Sequence, residues 1–142
     1  MFTGEYRHAL DGKGRIAVPA RFRSELAGGA FISRWIDACV AIFPRSSWDD
    51  FATKVAGLPV TDAGARTFAR FVFSGAFEFE LDGQGRVVVP LGLREFADLQ
   101  GEVVVVGARD HVELWSPTRW ADYSAAMYSP DALAEHLQGL GI

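Results

Sequence analysis

Apolar and polar positions alternate over Phe77 to Leu81, where Glu78 and Glu80 separate Phe77, Phe79 and Leu81, and this pattern predicts a strand with one buried face. Tyr6 to Leu10 has similar strand composition. Ile16 to Val18 and Val87 to Val89 are short β-branched runs, each closed by a proline that cannot donate to a ladder. Pro19 and Pro90 suit the first turn of a helix, so Ala20 to Leu26 and Leu91 to Leu99 are expected to be helical. Phe31 to Ile36 with Val40 to Phe43, and Val103 to Val106 with Val112 to Trp115, read as hairpins turning at Asp37-Ala38 and Arg109-Asp110. Helices are expected at Ser46 to Ala56 and Pro117 to Met127, with Ser or Thr near the caps. Within Thr61 to Phe73, Ala65, Phe68, Ala69 and Val72 fall at helical spacing and Arg66 and Arg70 lie one turn apart, which predicts a connecting helix. After Tyr128, Ser129-Pro130 restarts the chain, and Leu133, Leu137 and Leu140 form a short amphipathic stretch expected to pack on its own chain.

Much of this pattern occurs twice. Gly4 to Arg23 lies over Gly75 to Arg94 at a constant offset of 71, and nine of the twenty positions are identical, among them Asp11/Asp82, Gly12/Gly83, Gly14/Gly85, Arg15/Arg86 and Pro19/Pro90. The likeness resumes at offset 72 over Val40 to Phe43 and Val112 to Trp115, and at Trp48 and Trp120, so one residue was gained or lost near Gly28-Gly29. A unit of about 45 residues is near the lower limit for independent stability. Two copies therefore predict one fused barrel, each burying against the other what it cannot bury alone, rather than two beads. Asp11-Gly12 and Asp82-Gly83 are expected to supply the positive φ and the Asx-type bond of each tight turn.

Composition narrows the class. The chain has 142 residues, 49% hydrophobic and 23% charged, with a formal net charge of −4, which excludes a disordered or collagen-like chain. No apolar run approaches the roughly 20 residues of a membrane span, and Met1 to Glu5 opens no secretory signal. The single cysteine, Cys39, has no internal disulfide partner, and a reducing cytoplasmic setting is the expectation. Charge is distributed unevenly: residues 1–23 carry five Lys/Arg against two Asp/Glu, whereas residues 72–94 carry two against three. The acidic balance argues mildly against nucleic acid, although net charge averages over faces that a partner meets separately.

Enzyme chemistry finds little support. Gly12-Lys13-Gly14 is not a P-loop, and there is no Gly-x-Ser-x-Gly, His-Glu-x-x-His or Cys-x-x-Cys. His8, His111 and His136 have no metal-ligand spacing and read as surface or turn residues. Cys39 reads as a small core residue, Asp49-Asp50 as adjacent helix carboxylates pointing different ways, and Trp48 and Trp120 as core. No catalytic residue, metal, cofactor or small-molecule substrate is expected.

The repeated L-D-x-x-G-R-[IV]-x-[IV]-P, the opening Met1-Phe2-x-Gly4, Asp37-Ala38-Cys39-Val40, Arg70-Phe71 through Ser74-Gly75-Ala76, and Trp115-Ser116-Pro117-x-x-Trp120-x-x-Tyr123 occur in order over residues 1–128. This set resembles the tandem SpoVT/AbrB-type units of the MraZ family of transcriptional regulators. The resemblance implies an α+β fold of two AbrB-like βαββ-type repeats in a swapped-hairpin, double-split β-barrel with peripheral helices. It divides the chain into repeat 1 (5–47), connecting helices (48–75), repeat 2 (76–119) and a C-terminal tail (120–142). It also implies a ring-shaped homo-oligomer in the cytoplasm and nucleoid, binding short direct repeats in double-stranded DNA upstream of the division and cell-wall gene cluster and repressing its own operon.

Under that resemblance Arg15 is the first DNA-binding candidate, since a guanidinium beside a rigid turn grips phosphate or reads guanine O6 and N7. Asp11 would orient it, although an ion pair with Asp11 or Asp82 is also the ordinary role of such an arginine. Lys13 at the loop tip is a candidate phosphate contact, and Arg86 is the counterpart of Arg15 in the second copy. Arg7, His8, Arg21 and Arg23 either widen the patch or serve the plain surface. The second copy departs from the first, with Gln84 opposite Lys13 and Glu78 and Phe79 opposite Arg7 and His8. The first repeat is therefore expected to present the DNA face, and the second to complete the barrel and the subunit contacts. A partner-binding ring or an antitoxin-like protein with weak DNA contact is the other reading.

Overall fold

The computed structural model describes residues 1–142. In chain order the elements are β1 (Glu5–Ala9), β2 (Arg15–Ala17), a 3₁₀ turn (Ala20–Phe22) running into α1 (Arg23–Leu26), β3 (Ala30–Trp35), β4 (Cys39–Pro44), α2 (Arg45–Ala56) and α3 (Ala63–Phe73). The second half supplies β5 (Phe77–Phe79), β6 (Arg86–Val88), α4 (Leu91–Ala97), β7 (Glu102–Gly107), β8 (Val112–Trp115), α5 (Pro117–Met127) and α6 (Pro130–Leu137). The fold is mixed α+β with antiparallel pairing throughout.

The copies interlock strand by strand. A six-stranded sheet runs β1-β7-β8-β4-β3-β5, and a separate ribbon pairs β2 with β6. The first strand of each copy pairs with the hairpin of the other, Glu5 opposite Val106 and Ala30 opposite Phe79. The hairpins themselves join through β4 and β8, Ala41 opposite Glu113. One apolar cluster accordingly draws on both copies, with Ile16, Phe22 and Leu26 packed among Val87, Leu93 and Leu99. Two flanking clusters hold the tryptophans: Trp115 and Trp120 with Cys39, and Trp48 with Phe43 and Val72. Trp48 and Trp120 are core residues, as their repeated position suggested.

The hairpins turn where the residues indicated. Asp37 and Ala38 take φ of 67° and 57°, and Arg109 takes 72°. The connecting helix α3 starts at an Asp62 cap that accepts from the Ala65 amide at 2.9 Å; Val72 is buried, Phe68 packs on the core, and Ala65 and Ala69 are half-buried on the side facing α2. Ser116 and Ser129 cap α5 and α6 ahead of Pro117 and Pro130.

Several expectations give way to geometry. Pro19 and Pro90 stand at the N-cap with extended ψ of 134° and 147°, one position ahead of the first turn. The first copy's helix divides into a 3₁₀ turn and a single α turn, whereas the second stays α-helical to a left-handed Asp98. α2 follows Pro44 with no side-chain cap, despite Ser46 and Ser47 nearby. Phe79 and Leu81 pack on the core, but Phe77 is exposed at the end of the three-residue β5. Helix α6 forms, yet Leu133, Leu137 and Leu140 remain exposed, so the tail does not bury its ridge on its own chain.

Because neither copy holds a sheet of its own, both unfold together. A single transition is expected, with tryptophan fluorescence, near-UV and far-UV circular dichroism coinciding in urea; separate transitions would contradict the shared core. Ile16→Ala, at the centre of the ribbon, should lower stability by about 2–5 kcal/mol in the same titration.

Candidate functional site

The β1–β2 and β5–β6 loops have the same construction, set by one carboxylate each. Asp11 Oδ1 accepts from the Lys13 and Arg15 amides at 2.9 Å, and Asp11 Oδ2 accepts from Arg15 Nε at 2.6 Å. Asp82 repeats the pattern with the amides of Gln84 and Arg86 and with Arg86 Nε, all at 2.9 Å. The backbone closes each loop in both directions, Asp11 N–H donating to the Arg15 carbonyl and Gly14 N–H to the Asp11 carbonyl, with Asp82, Arg86 and Gly85 doing the same. Donation from the Arg15 amide, above all, holds the Asp11 carboxyl down to about 2, and the Arg86 amide likewise lowers Asp82.

Positive φ falls on the second glycine of each loop rather than on Gly12 or Gly83. Gly14 has φ of 76° and Gly85 of 74°, and both are buried. A methyl group at Gly14 would stand 2.9 Å from Arg94 Cζ, and one at Gly85 would run into the Arg23 guanidinium. Arg94 of the second copy thus lies on the first loop while Arg23 of the first copy lies on the second. Arg23 Nε donates to the Val18 carbonyl at 3.0 Å and Arg94 Nε to the Val89 carbonyl at 2.9 Å. These two arginines brace the loops from beneath, so Arg23 belongs to the scaffold and not to the outer patch.

Pairing of β2 with β6 sets the loops side by side. Ala17 stands opposite Arg86, the Val18 amide donates to the Gly85 carbonyl at 2.9 Å, and the Val89 amide donates to the Gly14 carbonyl at 2.8 Å. Arg86 Nη1 comes within 3.9 Å of Asp11 Oδ2, so Asp11 faces both arginines, while Arg15 makes no corresponding approach to Asp82. Arg15 is held by Nε alone, whereas Arg86 has Asp82 at Nε and Asp11 near Nη1. Both Nη groups of Arg15 have no partner within the chain, which leaves a planar two-nitrogen fork fixed in direction and partly exposed. Lys13, exposed at the tip, adds a second cation to the first loop; the second has Gln84 there.

The remaining candidates sit apart from the fork. Arg7, on the outer face of β1, pairs with Glu102 at 3.0 Å, and Arg21 donates to the Tyr6 hydroxyl at 3.0 Å. His8 is half-buried on the inner face with Nδ1 2.5 Å from the Ala17 carbonyl, a position that ties β1 to the ribbon rather than a surface one.

His111 also departs from the surface reading. It stacks on Phe43 at 4.9 Å between ring centroids and lies between Asp110 and Glu113 at 2.8 and 2.9 Å. Burial opposes its charge, but hydrogen bonds with Glu113 and Asp110 prevail and raise its pKa. It borders a cavity of about 220 Å³ with Trp35, Phe51, Asp50 and Lys54, whose charges of both signs select no single ligand class. Its partners come from sequence neighbours, but the Phe43 contact arises from pairing between the copies and left no sequence signal. Burial pushes the Cys39 thiol pKa up, which makes it a poor nucleophile.

The family model described as "MraZ protein, putative antitoxin-like" matches the chain twice, over residues 1–71 and 72–138. Curated relatives named "Transcriptional regulator MraZ" include those of Halothermothrix orenii, 47% identical over the whole of both chains, and Syntrophomonas wolfei, 45% identical over the whole of both. The relative of that name from Moorella thermoacetica is 48% identical over 96% of each chain. The chain belongs to the MraZ family.

Two outcomes test the loop. The Asp11 carboxyl should titrate near pH 2 by carboxyl-carbon NMR; because its folded pKa lies below the unfolded value of about 3.9, its stabilisation is complete above that value and is lost as pH falls toward 2. In Asp11→Asn that segment of the acid-unfolding curve should disappear, and an ordinary Asp11 titration would refute the donor arrangement. Gly14→Ala, forced to a left-handed backbone against Arg94, should cost at least about 1–2 kcal/mol in urea unfolding, whereas Gly12→Ala should cost less.

Proposed function

We propose that this MraZ-family chain is a sequence-specific DNA-binding transcriptional regulator whose reading element is the pair of Asp–Arg loops on the β2–β6 ribbon. The observation that carries the reading is the Arg15 fork: Asp11 fixes the side chain through Nε, and the Nη pair is left free at the geometry a phosphate or a guanine edge accepts. Lys13 adds a phosphate contact beside it. Arg86 is the second-loop contact, its charge partly absorbed by Asp82 and Asp11. Arg7 and His8 lie at the margin, already engaged by Glu102 and the Ala17 carbonyl. Asp11, Asp82, Gly12, Gly14, Gly83 and Gly85 shape the loops.

The interlocked strand order supports reading the two repeats, 5–47 and 76–119, as a swapped-hairpin, double-split barrel, with 48–75 and 120–142 as the helical connection and tail. A chain of net charge −4 needs several contacts at once, because each neutralised phosphate contributes a salt-dependent increment while the rest of the surface repels DNA. A ring of subunits on adjacent direct repeats supplies them, raising avidity by about two to four orders of magnitude with no new type of contact. In this reading the ring occupies repeats upstream of the division and cell-wall gene cluster and represses that operon, its own gene included, in the cytoplasm at the nucleoid. No catalytic group or cofactor enters. The relatives' shared name supports the regulatory role.

Fluorescence anisotropy with duplex from upstream of the protein's own gene, against a shuffled duplex, tests this. Wild type should prefer its own duplex, with affinity falling steeply in salt and rising with the number of repeats. Arg15→Ala should lose about 5- to 150-fold, since a bidentate base contact is worth about 1–3 kcal/mol. Arg15→Glu should lose more than Arg86→Glu; equal losses would contradict the primacy of the first loop. No preference over shuffled DNA would move the weight to a partner-binding ring or an antitoxin-like role.

A further inference from the structure

Two apolar features far from the loops stay open to solvent, and they complement each other. Where the end of α2 turns into α3, a groove of about 180 Å³ is lined by Val55, Leu58, Val60, Ala65, Ala69 and Phe73, with Val60 80% exposed. Ala65 and Ala69 stand one turn apart on the α3 side, small enough for a second helix to approach closely. Arg66 borders the groove, its Nη1 donating to the Val60 carbonyl at 3.0 Å, and Arg70 follows one turn on; neither has a carboxylate partner in the chain.

Helix α6 has the opposite relief. Leu133 and Leu137, one turn apart, are 42% and 43% exposed, and Leu140 continues the ridge. Asp131 and Glu135 flank it at the same one-turn interval, and both lack a cationic partner. Within one chain α6 packs on α5, and α5 on β7, whereas α2 and α3 pack on β3 and β4, so both features stay uncovered.

We propose that the α2–α3 groove takes the α6 leucine ridge of a second copy of this chain. Leu133 and Leu137, about 6 Å apart along the axis, would seat against Ala65 and Ala69 in the manner of a helix in a groove. Asp131 and Glu135 would then meet Arg66 and Arg70. Groove and ridge are different surfaces, so the contact is head-to-tail and propagates until the rotation closes it. The inference rests on the homo-oligomer reading above and names the surfaces that would build it.

Size-exclusion chromatography with light scattering on the full chain tests it. Leu133→Asp/Leu137→Asp should weaken self-association by at least about 100-fold and leave the urea midpoint of the dissociated chain unchanged, because both leucines are exposed. Arg66→Glu/Arg70→Glu should weaken it too, and adding Asp131→Lys/Glu135→Lys to that chain should restore it. A mixture of Ala69→Cys and Leu137→Cys chains should form an interchain disulfide. If the leucine variant assembles as wild type does, another surface joins the copies and the proposal fails while the oligomer reading stands. A wild-type chain that is monomeric at every concentration overturns both. If Ala69→Cys/Leu137→Cys in one chain yields only a monomeric intrachain disulfide, α6 covers its own groove and the second-copy contact is wrong.

Discussion

One carboxylate receiving three N–H donors from residues two and four positions ahead is the interaction on which this molecule turns. Asp11 and Asp82 each hold two backbone amides and one guanidinium Nε, and the demand for all three fixes the loop path. With that path set, the Gly14 and Gly85 carbonyls face the opposite copy and accept from the Val89 and Val18 amides. Those bonds extend the β2–β6 ribbon and its register, which aims Ile16 and Val87 into the shared core. The carboxylate that orients the arginine therefore also joins the two copies. Replacing it should disturb recognition and architecture together, whereas Arg15→Ala leaves both backbone amide bonds in place.

Duplication explains why the site is double and divergence explains why its halves differ. Arg23 and Arg94 exchange places beneath the loops, so each loop is braced by an arginine of the other copy. Above that common base the copies part. The first loop carries Lys13 and a free fork on Arg15, whereas the second carries Gln84 and an arginine drawn toward Asp11. The two loops therefore differ in charge although they share one backbone.

The loops were legible in the sequence because their determinants are local: Asp, two glycines and Arg within five positions, repeated at a fixed offset. The hairpin turns and the connecting helix were legible for the same reason, since Asp37-Ala38 and the Ala65, Phe68, Ala69, Val72 spacing act within a few residues. What escaped depends on the other copy. The crowding of Gly14 by Arg94, eighty residues away, adds to its positive φ a reason for glycine that no local pattern carries. His8 turned inward because β2 lies under β1, and Phe77, on the same face as Phe79, stays exposed at the start of the short edge strand β5. Leu133 and Leu137 have the periodicity of a buried ridge, but periodicity does not say whose surface buries it.

The central claim is that Asp11 keeps Arg15 Nε while the Nη groups meet the nucleic acid. Guanidinium nitrogen NMR of the Arg15 side chain, with and without duplex from upstream of the protein's own gene, tests it most directly. The account predicts that the Nη resonances shift and slow their exchange on binding while Nε keeps its carboxylate-bound position. A Nε signal that moves to a solvent-exposed position, or Nη signals unaffected by saturating DNA, would contradict it.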